Sequence, residues 1–143
     1  MKNIFLFGTV ASILICTPSF GQDYTAQVKK QLSLVKAAGQ TGGWQETHED
    51  KFDNLSQGGA NAFTVTLKKG MTYKIIGVCD NDCSDLDMTL YDENNNEISK
   101  DQKSDSMPMV EASPKWTGKF YLRTRMYACS NSPCFYGITI LGR

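Results

Sequence analysis

Four cysteines in two close pairs, Cys79-x3-Cys83 and Cys129-x4-Cys134, constrain what this chain can become more than any other feature. Each pair stands where one apolar–polar alternation ends and the next begins, at a turn between two candidate strands. A fifth cysteine, Cys16, lies in a segment with the marks of a cleaved export signal. Lys2 is followed by thirteen mainly apolar residues, Ile4 to Cys16, and then by Pro18-Ser19-Phe20-Gly21, with small residues where a signal peptidase reads. Cleavage after Gly21 is expected. Thirteen residues fall short of the ~20 that span a bilayer, and Ile15 is bulky where lipidation of Cys16 would want a small side chain.

Removal of that segment leaves an even set of four cysteines in an exported chain, where disulfides form. Three pairings are open. The local one, Cys79 with Cys83 and Cys129 with Cys134, is favoured because each pair sits at a strand-to-strand loop. Each short link contributes roughly 2 kcal/mol against about 4 for a link across some fifty residues. Zinc fits less well, since the spacings are x3 and x4 and no histidine is near.

The remaining 122 residues suit one domain, and fourteen basic against fifteen acidic residues give a net charge of −1 without the clustered Lys and Arg of a nucleic-acid surface. Residues 22–40 read as a helix: Tyr24, Val28, Leu32 and Val35 fall on one face, and Gly39 is placed to stop it. Such a helix either docks on the domain or serves as a partner-binding arm. Residues 41–60 are glycine-rich and polar, a stretch of loops with at most one short strand near Trp44 to His48. From Asn61 the period becomes two. Strands are predicted at Phe63–Leu67, Thr72–Cys79, Asp85–Asp92, Glu97–Ser99, Met107–Ala112, Lys119–Ala128 and Phe135–Leu141, which indicates an antiparallel β-sandwich, jelly-roll-like, with one N-terminal helix.

Within the sandwich, LKKGMTYKIIGV (67–78), DLDMTLYDENNNEI (85–98) and WTGKFYLRT (116–124) resemble the bacterial pre-peptidase C-terminal domain, with its DLDL-x-LYD-x-NGN strand and turn, over residues 61–143. The cysteine pairs and the WTG segment resemble a subgroup of small exported proteins of that type. The resemblance implies an accessory or binding role rather than catalysis. No peptidase is attached, and Asn96 stands in place of the turn's glycine.

Alternation puts Leu86, Met88 and Leu90 on one face of their strand and Asp85, Asp87, Thr89 and Tyr91 on the other. Asp85 and Asp87 are then about 7 Å apart at the backbone. A hard cation would relieve their repulsion, and Asp80 and Asp82 could add oxygens, so calcium is the cofactor this set suits. It is not an EF-hand loop, because Asp85 occupies the glycine position and Tyr91 the position of the bidentate Glu. The rival reading has these aspartates capping turns. On the Lys119–Ala128 strand, Tyr121, Arg123, Arg125 and Tyr127 share the face opposite Phe120, Leu122 and Met126. That face suits a protein or glycan of the envelope, or simply packs across strands. Catalysis has little to draw on: His48 is the one histidine, no nucleophile elbow or phosphate loop occurs, and Asp85 and Asp87 on one strand cannot flank a sugar bond. The expectation is a periplasmic or extracellular, non-catalytic binding or accessory module. An enzyme inhibitor or regulator comes second and a hydrolase third.

Overall fold

The computed structural model describes residues 23–143; the export signal expected over residues 1–21 lies outside the described residues. Helix α1 (Tyr24–Thr41) is capped by Asp23, whose carboxylate accepts from the Ala26 amide at 3.0 Å. Nine strands follow: β1 (Gln45–Glu46), β2 (Lys51–Leu55), β3 (Ala60–Leu67), β4 (Tyr73–Cys79), β5 (Cys83–Asp92), β6 (Glu97–Asp101), β7 (Met109–Ala112), β8 (Gly118–Cys129) and β9 (Cys134–Gly142). They form two antiparallel sheets. One runs β1-β9-β4-β7, with β2 also paired to β9, and the other runs β3-β8-β5-β6.

The core lies between the sheets. Tyr73, Ile75, Tyr136, Ile138 and Ile140 face Leu86, Met88, Leu90, Phe120, Leu122 and Met126 in one cluster, as expected for two sheets that each bury one side. Tyr136, deep in this core, donates its hydroxyl to Asn61 Oδ1 at 2.8 Å. The helix docks on the outside of the β9-β4 pair: Val28 and Leu32 bury against Val78, and the Tyr24 ring stacks on Phe135 at 6.0 Å. Close approach requires Gly137, where an added Cβ would stand 2.7 Å from Val28 and 2.9 Å from Leu32. Polar contacts fix the helix along its length, since Gln31 donates to the Cys79 carbonyl and Gln27 accepts from the Asn81 amide.

The disulfides are Cys79–Cys83 and Cys129–Cys134, the local pairing. Each closes the turn by which the chain leaves one sheet for the other, β4 to β5 and β8 to β9, and Cys83 lies opposite Cys129 across the ladder. Two short links at one end of the sandwich thus hold its layers together.

The structure differs from expectation at residues 41–60. β1 and β2 lie end to end along the free edge of β9, with five ladder positions from Lys51 opposite Ile138 to Leu55 opposite Cys134. Lys51 to Asn54 are all exposed, so no face of β2 carries the alternation by which a strand is recognised. The β5–β6 turn is the other difference. The left-handed residue is Asn95, at φ 61°, not Asn96. Asn tolerates that conformation, and the Asp92 carboxylate holds the turn by accepting from the Asn94 and Asn96 amides, each at 2.8 Å.

Candidate functional site

The β5–β8 register determines what stands on the outer face of the second sheet. Asp87 lies opposite Arg125, Thr89 opposite Arg123, and Tyr91 opposite Tyr121. The expected acidic pair and the expected Tyr–Arg row are therefore one surface. After β6 the chain folds back over it, and the Asp105 carbonyl accepts from the Leu86 amide at 3.0 Å. A cleft of about 300 Å³ results, lined by Asp85, Asp87, Gln102, Ser104, Arg125 and Tyr127.

Asp85 and Asp87 are each only 8 % exposed, yet their Oδ1 atoms have no hydrogen-bond partner among the described residues. Such groups are uncommon in folded proteins and costly to leave unpaired. Burial pushes the Asp85 carboxyl above its usual range, and the charge of Asp105 adds to this. Burial also raises Asp87, helped by the charge of Asp85 and opposed by Arg125. Both carboxyls are thus held above the ordinary carboxylate range, chiefly by burial. Arg125 in turn lies over the half-exposed Tyr127 ring, its Cζ 5.2 Å from the centroid.

Asp80 and Asp82 are not part of this cleft. Asp80 is buried at the β4–β5 turn, where Oδ1 accepts from the Asp82 amide at 3.1 Å and Oδ2 from the Phe135 amide at 2.7 Å. The Asp82 carbonyl accepts from the Ser130 amide, and its side chain reaches toward Tyr24, whose pKa it raises. The four aspartates expected to form one ligand set are divided between the turn and the outer face. Among the described residues no group of three or more His, Cys, Asp or Glu is arranged to hold a metal ion. His48 is bound into the fold: Nε2 donates to the Thr66 carbonyl at 2.8 Å, Nδ1 lies 2.8 Å from the Thr47 hydroxyl, and the ring meets Tyr73 edge-on. Neither nitrogen is free to act as a base.

The sequence reading missed Gln102 and Ser104, which lie in a polar turn with no periodic signal. Their one hint was the concentration of Asp and Ser between two predicted strands.

No family model and no curated protein matches this chain. Among solved structures it is similar to the pre-peptidase C-terminal domain of a collagenase from Bacillus anthracis, at 16 % identity and a TM-score of 0.51, over 64 % of this chain and 87 % of that one. The two share a β-sandwich architecture. A periplasmic inhibitor of g-type lysozyme from Aeromonas hydrophila aligns at 10 % identity and a TM-score of 0.49, over 66 % of this chain and 85 % of that one. At such identities the likeness concerns architecture, so chemistry must be argued from this chain's own residues.

Proposed function

We propose that the protein is an exported, non-catalytic binding module whose ligand surface is the outer face of β5 and β8, and that its ligand is a glycan. The observation that carries this reading is the pair of buried, unpartnered Oδ1 atoms of Asp85 and Asp87 at the cleft. They are acceptors awaiting donors. Sugar hydroxyls donate to carboxylates and accept from the guanidinium of Arg125 and the amide of Gln102. Tyr127 offers a ring face beside them, and few convergent polar groups are enough to orient a ligand. Export is supported by the two disulfides, and no helix among the described residues is long and apolar enough to cross a membrane.

A glycan array probed with labelled protein tests the proposal, with Asp87→Asn, Arg125→Ala and Tyr127→Ala run in parallel. Wild-type binding that each variant weakens at least tenfold is expected. Binding that all three leave unchanged, or capture of only a stoichiometric protein from an envelope extract, would replace the glycan by another site or partner; the latter result would favour the inhibitor reading. Calcium would compete for the same two oxygens, so melting with millimolar calcium and with chelator accompanies the array. An identical midpoint counts against a calcium site.

A further inference from the structure

The first sheet carries a second, chemically different recess. Past Leu32 the helix descends onto Leu141 at Gly39, where an added Cβ would stand 2.6 Å from Leu141 Cδ1. Beside the last turns of α1, where Val35, Ala38 and Gly39 form one wall, a groove of about 470 Å³ opens toward Met109 of β7. That volume lies in the range of small-molecule sites. Ile76 and Leu141 contribute its sheet side, with Val35, Trp44, Met107 and Met109 around them. The methionines are 51 % and 39 % exposed, and their flexible thioethers adapt to differently shaped apolar ligands.

Lys74 is the charged residue on this lining. Its Nζ is 5.0 Å from the Trp44 ring centroid, and the Arg143 guanidinium lies 4.4 Å from the same ring. No carboxylate lines the groove itself. Glu111, just outside, already places a carboxylate 3.3 Å from Lys74, but that pair is largely exposed. Exposed ion pairs of this kind hold weakly and exchange readily.

We infer that this groove binds a small amphipathic anion, its apolar body on Ile76, Leu141 and the methionines and its carboxylate exchanging with Glu111 at Lys74. The site is separate from the Asp85–Asp87 cleft and does not depend on its ligand. The test is calorimetric titration of the full exported chain with octanoate and with octylammonium, below their micellar concentrations. Trp44 emission is followed in a Trp116→Phe background.

Saturable one-to-one binding of octanoate that shifts Trp44 emission is expected, with octylammonium at least tenfold weaker. Lys74→Ala should erase that preference for the anion, a change of about tenfold. Met109→Glu should abolish binding. Both positions are at the surface, so circular dichroism should show the fold retained. Equal affinity for the two amphiphiles, no saturation at millimolar octanoate, or binding indifferent to Met109→Glu would each overturn the inference. So would self-association that Met109→Glu abolishes in protein that binds no octanoate, since the groove would then belong to a second copy of the chain.

Discussion

The outer face of the β1-β9-β4-β7 sheet is covered by α1 through Val28, Leu32 and Val78, whereas the outer face of β3-β8-β5-β6 has no helix among the described residues and carries Asp85, Asp87, Arg123 and Arg125 instead. On the first face, apolar surface is removed from water at roughly 25 cal/mol per Å², which stabilises the fold. On the second, the Oδ1 atoms of two buried aspartates lack hydrogen-bond partners among the described residues, which costs stability. The same sandwich thus has one face devoted to holding it together and another held in an unfavourable arrangement that a ligand could relieve. Strain and unpaired polar groups of this kind concentrate where proteins bind.

The covered face should respond most strongly to mutation. Leu32→Ala removes a fully buried side chain from the helix–sheet contact and should lower stability by about 3 kcal/mol in urea unfolding. A loss below ~1 kcal/mol would mean that the helix is held mainly by its polar ties, Gln27 and Gln31. Replacing the Cys79–Cys83 pair by serines should cost about 2 kcal/mol, the chain-entropy value for so short a loop. The same variant should leave the ellipticity of α1 unchanged if the helix and the staple act independently. Gly137→Ala is expected to cost ~1.5 kcal/mol by overpacking against Val28 and Leu32. Combined with Leu32→Ala its cost should shrink, because the vacated space accepts the new methyl. Strict additivity would show that Val28 or Phe52, not Leu32, sets the limit at that glycine.

The two faces also differ in how far they could be read from sequence. From Ala60 onward most strands are visible because apolar residues recur on their core side, as Leu86, Met88 and Leu90 do on β5 and Phe120, Leu122 and Met126 on β8. β6 has no buried residue and is marked by the Asn turn before it. β2 is invisible for the converse reason, since Lys51 to Asn54 pair with β9 but none of them is buried. The helix face was legible in Val28 and Leu32, but Gly39 marks contact with Leu141 rather than the helix end, which lies at Thr41. For the candidate site, alternation reveals that Asp85 and Asp87 share a face, and likewise Arg123 and Arg125. It does not reveal that β5 and β8 are neighbours, nor that Asp87 meets Arg125, because register depends on long-range pairing. The fold-back of residues 102–105 that buries the carboxylates has no periodic signature at all. Alternation also says nothing of Asp80 and Asp82, which precede the strand, and the structure places the Asp80 carboxylate on backbone amides of the turn.

The subtlest difference between the faces is in acid. Asp85 and Asp87 have raised pKa values, so the folded state binds their protons more tightly than the unfolded chain does. Unfolding free energy should therefore fall as pH rises from the ordinary carboxylate range through their folded values, and recover on acidification. Asp92 works in the opposite sense. Its pKa is lowered by the Asn96 and Asn94 donors, so its contribution is present above the ordinary range and is lost as pH falls through its folded value. Asp87→Asn separates the two, because an amide at 87 carries no charge and brings a donor within reach of Asp85. The variant should be about 1 kcal/mol more stable than the parent at neutral pH. Its melting profile between about pH 2 and 7 should keep the Asp92 loss and show a smaller opposing gain, since Asp85 remains buried. A less stable variant, or a profile that superimposes on the parent's, would mean that the carboxylates are not penalised by burial. If the variant gains stability and loses glycan binding together, the unfavourable pair is retained for its ligand, since stability given up at a binding surface is the usual sign of such a site.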